Sequence, residues 1–114
     1  MEPLEVARAA IEAATDKQAS DILLMDLRGL ASFADYFVVC SADSTRQIST
    51  IANDLERSLR SSGVRMHHRE GIDSSGWVLL DFGDVIVHIF SPDQRAFYDL
   101  ESAWEKAPQL VRVQ

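Results

Sequence analysis

A single cysteine, Cys40, stands among 114 residues, so no internal disulfide can staple the chain and its stability has to come from an apolar core. The five glycines are dispersed singly and include neither a G-x-G-x-x-G run nor a lysine-bearing phosphate loop, which removes the usual nucleotide cradles. No apolar stretch approaches the ~20 residues that a membrane span needs. Glu2 and Glu5 lie where a secretory or transit leader would be basic, and a cytoplasmic protein is expected. Positive charge is scarce too: 11 Lys and Arg face 18 Asp and Glu, a net charge of −7. The deficit is spread along the chain rather than gathered in a tail, since residues 1–20, 21–60, 61–90 and 91–114 carry −2, −2, −2 and −1. Such a chain repels phosphate and suits a basic partner better than a nucleic-acid backbone.

What is present is ordinary globular material, 46% hydrophobic and 25% charged, and a chain of this length makes one domain. Leu4, Ala7, Ile11 and Ala14 recur at helical spacing behind Pro3, which predicts a first helix from Pro3 to Lys17. Asp21–Leu27 and Tyr36–Ser41 read as strands, the first buried on both faces, and the connection bearing Phe33 is expected to fold back onto the core. Asp43 or Ser44 can cap a second helix with the stripe Ile48, Ile51, Leu55 and Leu59, closed by Gly63. Its outer face, Arg46 to Arg60, reads as a solvated surface. Residues 64–68 are expected as a short strand and Arg69–Gly76 as a mobile loop. Ser91-Pro92-Asp93 opens a last amphipathic helix bearing Phe97, Leu100 and Trp104, which stops before Pro108.

The strongest local pattern is Trp77–Phe82, Gly83-Asp84, Val85–Phe90: two β-rich runs around a two-residue turn, hence a hairpin with a fixed register. Facing Phe82 with Val85 gathers Val78, Leu80, Phe82, Val85, Val87 and Ile89 on one wholly apolar face. The other face carries Trp77, Leu79, Asp81, Ile86, His88 and Phe90, a mixture that fits either a second core layer or a binding surface.

Catalytic readings find little support. Asp81 lies diagonal to His88 on that mixed face, but a hydrolase would also need Cys40 or Ser41 beside them and a strained nucleophile elbow, which is absent. His88 is expected instead to hydrogen-bond Asp81 or a backbone carbonyl. His67 and His68 are adjacent, so they point to opposite sides of a strand and lack a third ligand at useful spacing. No metal, cofactor or catalytic residue is expected. Asp26, Asp35, Asp81 and Asp84 read as strand-end or solvated acids.

Three segments together carry a likeness: Asp26–Ser41 (DLRGLASFADYFVVCS), Trp77–Phe90 (WVLLDFGDVIVHIF) and Phe97–Trp104 (FYDLESAW). In order and spacing they resemble the ribosomal silencing factor family, also called Iojap-related, over residues 1–106, leaving 107–114 as a C-terminal tail. The resemblance implies a single α/β domain, a mixed β-sheet with flanking helices and a nucleotidyltransferase-like shape without catalytic residues. It further implies a translation repressor that binds large-subunit ribosomal protein number fourteen and sterically blocks subunit joining when nutrients are scarce, with homodimers when free. The alternatives from other classes are a small nucleotidyltransferase-like or hydrolytic enzyme and a regulatory subunit of another assembly.

Binding hot spots favour large aromatics among apolar contacts, and a basic partner favours acids beside them. The candidate contact residues are therefore Trp77, Leu79 and Asp81 on the hairpin, Tyr98, Asp99 and Glu101 in the acidic aromatic segment, and Trp104. For both tryptophans the competing place is the core.

Overall fold

The computed structural model describes residues 1–114. Helix α1 (Pro3–Asp16) starts on Pro3, whose missing N–H costs nothing in the first turn, and the Glu2 backbone N–H is taken up by Glu5 Oε1 at 3.1 Å. Strands β1 (Ser20–Asp26) and β2 (Tyr36–Ser41) follow, then α2 (Thr45–Ser61), where Ser44 Oγ accepts from the Gln47 N–H at 3.1 Å and caps the first turn. Next come β3 (His68–Glu70), β4 (Trp77–Asp81), β5 (Val85–Phe90), α3 (Pro92–Tyr98), α4 (Leu100–Ala103) and β6 (Gln109–Val113). The strands form one mixed sheet in the order β3-β4-β5-β2-β1-β6, in which only β2 and β5 run parallel. The hairpin register is the expected one, with Trp77 opposite Phe90, Val78 opposite Ile89, Leu79 opposite His88 and Asp81 opposite Ile86.

Alternation along the strands divides the core in two. Ile22, Leu24, Tyr36, Val38, Cys40, Val78, Leu80, Phe82, Val85, Val87 and Ile89 face α1 and α2 and are sealed by the helices' apolar stripes, including the expected Ile48, Ile51, Leu55 and Leu59. Leu23, Met25, Phe37, Val39, Ile86 and Phe90 face the other way. Trp77 and Leu79 of β4 share that face, and Leu27, Ala34 and Ala107 with the half-buried Ala31, Leu100 and Trp104 cover it, with no full-length helix on top. Strand β1 is thus buried on both faces as its sequence predicts.

Four expectations change. The segment after residue 106 is no tail: Ile22 pairs with Val113, Leu23 with Arg112 and Leu24 with Val111, so β6 is the edge strand beyond β1. The 64–68 strand lies at His68–Glu70, and Arg69–Gly76 is structured rather than loose. Arg69 donates to Asn53 Oδ1 at 3.0 Å and Asp73 Oδ1 at 2.8 Å, and residues 73–75 form a 3-10 turn. Both bracketing glycines are required by close approach at positive φ, because a Cβ on Gly71 would meet the Trp77 carbonyl oxygen at 2.2 Å and one on Gly76 would meet Gln94 Cγ at 2.7 Å. The last helix breaks at Asp99 (φ +47°) into α3 and α4, so Phe97 leaves the apolar stripe and is 77% exposed. Finally, Phe33 folds over the sheet but stays 57% exposed, its ring 6.2 Å from Phe37 and 6.0 Å from Trp104.

Candidate partner-binding face

The sheet face opposite α1 and α2, met only by the short helices α3 and α4, is an aromatic layer. Trp77 leaves Gly76, the residue that ends the 3-10 turn, and lies on Phe90 with ring centroids 5.0 Å apart and planes at 26°. Tyr98, 49% exposed at the end of α3, packs 4.5 Å from Trp77. His88 sits beside them, 4.5 Å from Phe37 in an edge contact, and Phe37 in turn meets Trp104 at 5.8 Å. The rings run continuously from Tyr98 through Trp77, His88 and Phe37 to Trp104 and Phe33, partly covered by protein and partly open. Two hollows flank the chain of rings. One of about 170 Å³ is lined by Glu70, Gly71, Trp77 and Leu79, and one of about 260 Å³ by Leu30, Trp104, Glu105 and their neighbours.

The seven residues chosen from sequence divide accordingly. Trp77, Leu79, Tyr98 and Trp104 all belong to this layer, the tryptophans half-buried rather than sealed in the core. Asp99 is exposed at the helix break. Asp81 lies at the far end of β4, where its Oδ1 accepts the Gly83 N–H at 2.7 Å and holds the hairpin turn. Glu101 points inward. Its carboxylate takes both Nε (3.1 Å) and Nη2 (3.3 Å) of Arg95, which is only 8% exposed and also donates to Asp21 O and Ser41 Oγ. Arg112 of β6 adds a contact at 3.6 Å, so Glu101 ties α4 to strands β1, β2 and β6 instead of facing a partner. Sequence reasoning left out Phe33, Phe97 and Ile72, exposed apolar residues, as well as Glu70 on the rim. The Arg95–Glu101 pairing had no signal other than its six-residue separation.

The Asp81–His88 bond expected from the diagonal does not form. His88 Nδ1 accepts from the Trp77 indole N–H at 3.2 Å, an assignment that puts the ring proton on Nε2. Nε2 is buried and meets no protein acceptor, a cost of about 1–3 kcal/mol for such a group. Burial also pushes the His88 pKa down to about 4, so the ring is neutral at ordinary pH. Cys40 is fully buried on the opposite face and its thiol is pushed up to about 12 by burial, which makes it a packing residue beyond reach of His88 and Asp81. His68 Nε2 lies 3.2 Å from Glu70 Oε1, while the His67 ring lies against Gly83.

The fold is an α/β domain whose sheet face opposite α1 and α2 is aromatic and is bordered by Glu70 and Glu105. The sequence over residues 1–114 matches the family model described as "Ribosomal silencing factor during starvation", and the chain belongs to that family, RsfS. It is 39% identical over 108 residues to the ribosomal silencing factor RsfS of Bacillus subtilis, covering 95% of this chain and 92% of that one. It is 36% identical over 112 residues to the chloroplastic protein Iojap of Zea mays, covering 96% of this chain and 47% of that one. Two crystal structures share the fold. A Chromobacterium violaceum protein superposes with a TM-score of 0.89 at 39% identity, covering 92% of this chain and 88% of its own. A Bacillus halodurans protein does so with 0.83 at 33% identity, covering 95% and 98%.

Proposed function

We propose that this protein acts on the large ribosomal subunit through a basic ribosomal protein, large-subunit protein number fourteen, on the face where the two subunits join. Occupying that place keeps the small subunit from docking and represses translation. The observation that carries the reading is the aromatic, acid-edged sheet face in a chain whose relatives are named ribosomal silencing factors. Docked by this face, a slab of 34 × 33 × 24 Å turns its α1–α2 layer outward as the obstacle. Silencing by occupation needs no bond to be made or broken, and the reading is of a cytoplasmic regulator rather than an enzyme. In free solution the same apolar face suits a second copy, giving a homodimer that the ribosomal partner displaces.

The test is sedimentation of purified subunits with the protein added. Co-sedimentation with large subunits and a falling yield of joined ribosomes are expected. Unchanged joining at concentrations that saturate large subunits overturns the silencing mechanism, and the absence of co-sedimentation overturns the docking itself. Trp77→Ala should weaken that association by more than ~1 kcal/mol while leaving a cooperative fold, measured by titration beside a thermal melt.

A further inference from the structure

His88 is the one group in the aromatic layer whose presence packing does not explain. It is 3% exposed, and its close neighbours are Trp77, Leu79, Phe37 and Phe90, among which a hydrocarbon side chain would fill the same space without burying a ring N–H. What an imidazole does here that a hydrocarbon cannot is accept the Trp77 indole N–H at Nδ1. Stacking on Phe90 fixes the plane of the indole but not its sense, because the outer torsion of a tryptophan has two broad wells. A directional bond to one edge of the ring selects one well. The other contacts of Trp77, with Phe90 and Tyr98, are ring contacts without that direction.

We infer that His88 is a positioning residue for the docking face: by holding the indole N–H, it presets one flip of Trp77 and with it the ring surface that the partner meets. The inference rests on the docking role proposed above for that face. Presetting saves the partner the cost of ordering a large side chain on contact, so its loss appears in affinity. A buried polar group kept for orientation also has a signature of its own. Stability and affinity should separate when it is replaced.

Two variants make the separation measurable. His88→Leu removes the acceptor at similar volume, and His88→Asn keeps a side-chain carbonyl oxygen near the place of Nδ1 on a smaller group. Titration with isolated large subunits, thermal melts and the Trp77 indole N–H resonance are compared, with Trp104→Phe used to assign the two indoles. His88→Leu should melt at or above the parent, shift the Trp77 resonance and lose at least about ten-fold in affinity. His88→Asn should melt lower than the parent yet bind more tightly than His88→Leu. Parent-like binding by His88→Leu, or affinities that follow the melting order, overturns the positioning role. Should His88→Leu fail to fold, Trp77→Phe takes its place, since it deletes the donor and keeps a ring; unchanged affinity there overturns the role as well. Trp77→Ala separates the two readings: parent-like binding defeats the docking face and the inference with it, whereas weakened binding beside an intact His88→Leu defeats the inference alone.

Discussion

One sheet has two faces of opposite character, and they are made from alternate residues of the same strands. Val38 and Val87 point into the helix-covered core, while their chain neighbours Phe37 and His88 point into the aromatic layer. Of nine aromatic residues only Tyr36 and Phe82 lie on the helix side, where aliphatic groups and small alanines let α1 and α2 approach closely. Large flat rings serve the other side, where they offer broad contact area with few torsions to freeze. The helix-covered side has 22 buried residues and the aromatic side nine, so stability resides mainly in the first, while the second is the side proposed for docking. A two-residue alternation is enough to keep the two tasks apart.

The contrast breaks most visibly at neighbouring positions of β4. Val78→Asp buries a charge under the helices and should cost about 5 kcal/mol or more, enough to unfold a domain at the lower end of the usual stability of about 5–15 kcal/mol, whereas Leu79→Asp at the half-buried neighbour should cost about 1–2 kcal/mol and remain folded. Chemical denaturation of the pair decides it; equal losses would mean that both faces are core.

Acid should act on the open face through His88. Its pKa is about 4 in the folded chain against 6.5 for the free side chain, so above pH 6.5 both states are neutral and nothing is lost. As the pH falls below 6.5 the unfolded chain takes a proton that the folded chain refuses, and stability declines until about pH 4, by about 3 kcal/mol in all. The difference between the parent and His88→Leu, followed by denaturation from pH 7 to 4, isolates this contribution from the carboxylates. Identical pH curves would show that the ring is solvated.

Smaller effects sharpen the edge of the face. Asp81→Lys loses the acceptor for the Gly83 N–H, a cost of about 1 kcal/mol, and opposes a basic partner, so binding should weaken more than stability does. Smallest of all, the association rate with large subunits should fall as salt rises, since screening shortens to ~8 Å near physiological ionic strength, while dissociation changes less. A flat association rate would remove charge steering from the account.

Much of this was legible in the residues. The Gly83-Asp84 turn fixes the β4–β5 register, and the register assigns every side chain of the hairpin to its face. The stripe of α2 follows from its helical period, and the two-sided burial of β1 from the unbroken apolar run Ile22 to Met25. Strand β6 was not legible, because Gln109–Val113 is an edge strand with no residue fully buried, and an exposed edge has no alternation to read. Glu101 looked like a partner contact because acids on an aromatic helix usually are exposed; its true role depends on Arg95 and on Arg112, which the chain brings back only through the sheet. The glycines of 69–76 signal flexibility by composition and act instead as points of close approach. Asp99 breaks a helix in a left-handed conformation that few side chains adopt, and no local pattern announces it.

Strand β6 sets the order in which the molecule can be completed. Its partner residues on β1 are about 90 positions earlier in the chain, the most distant strand pairing in the sheet and therefore among its slower contacts to form. As the chain grows from its first residues, β2 can pair with one edge of β1 early, but the backbone groups of the other edge stay unpaired until residues 109–113 arrive. During that interval a strand with a run of four apolar residues, Ile22 to Met25, has a free edge, which is the geometry that invites pairing with other chains.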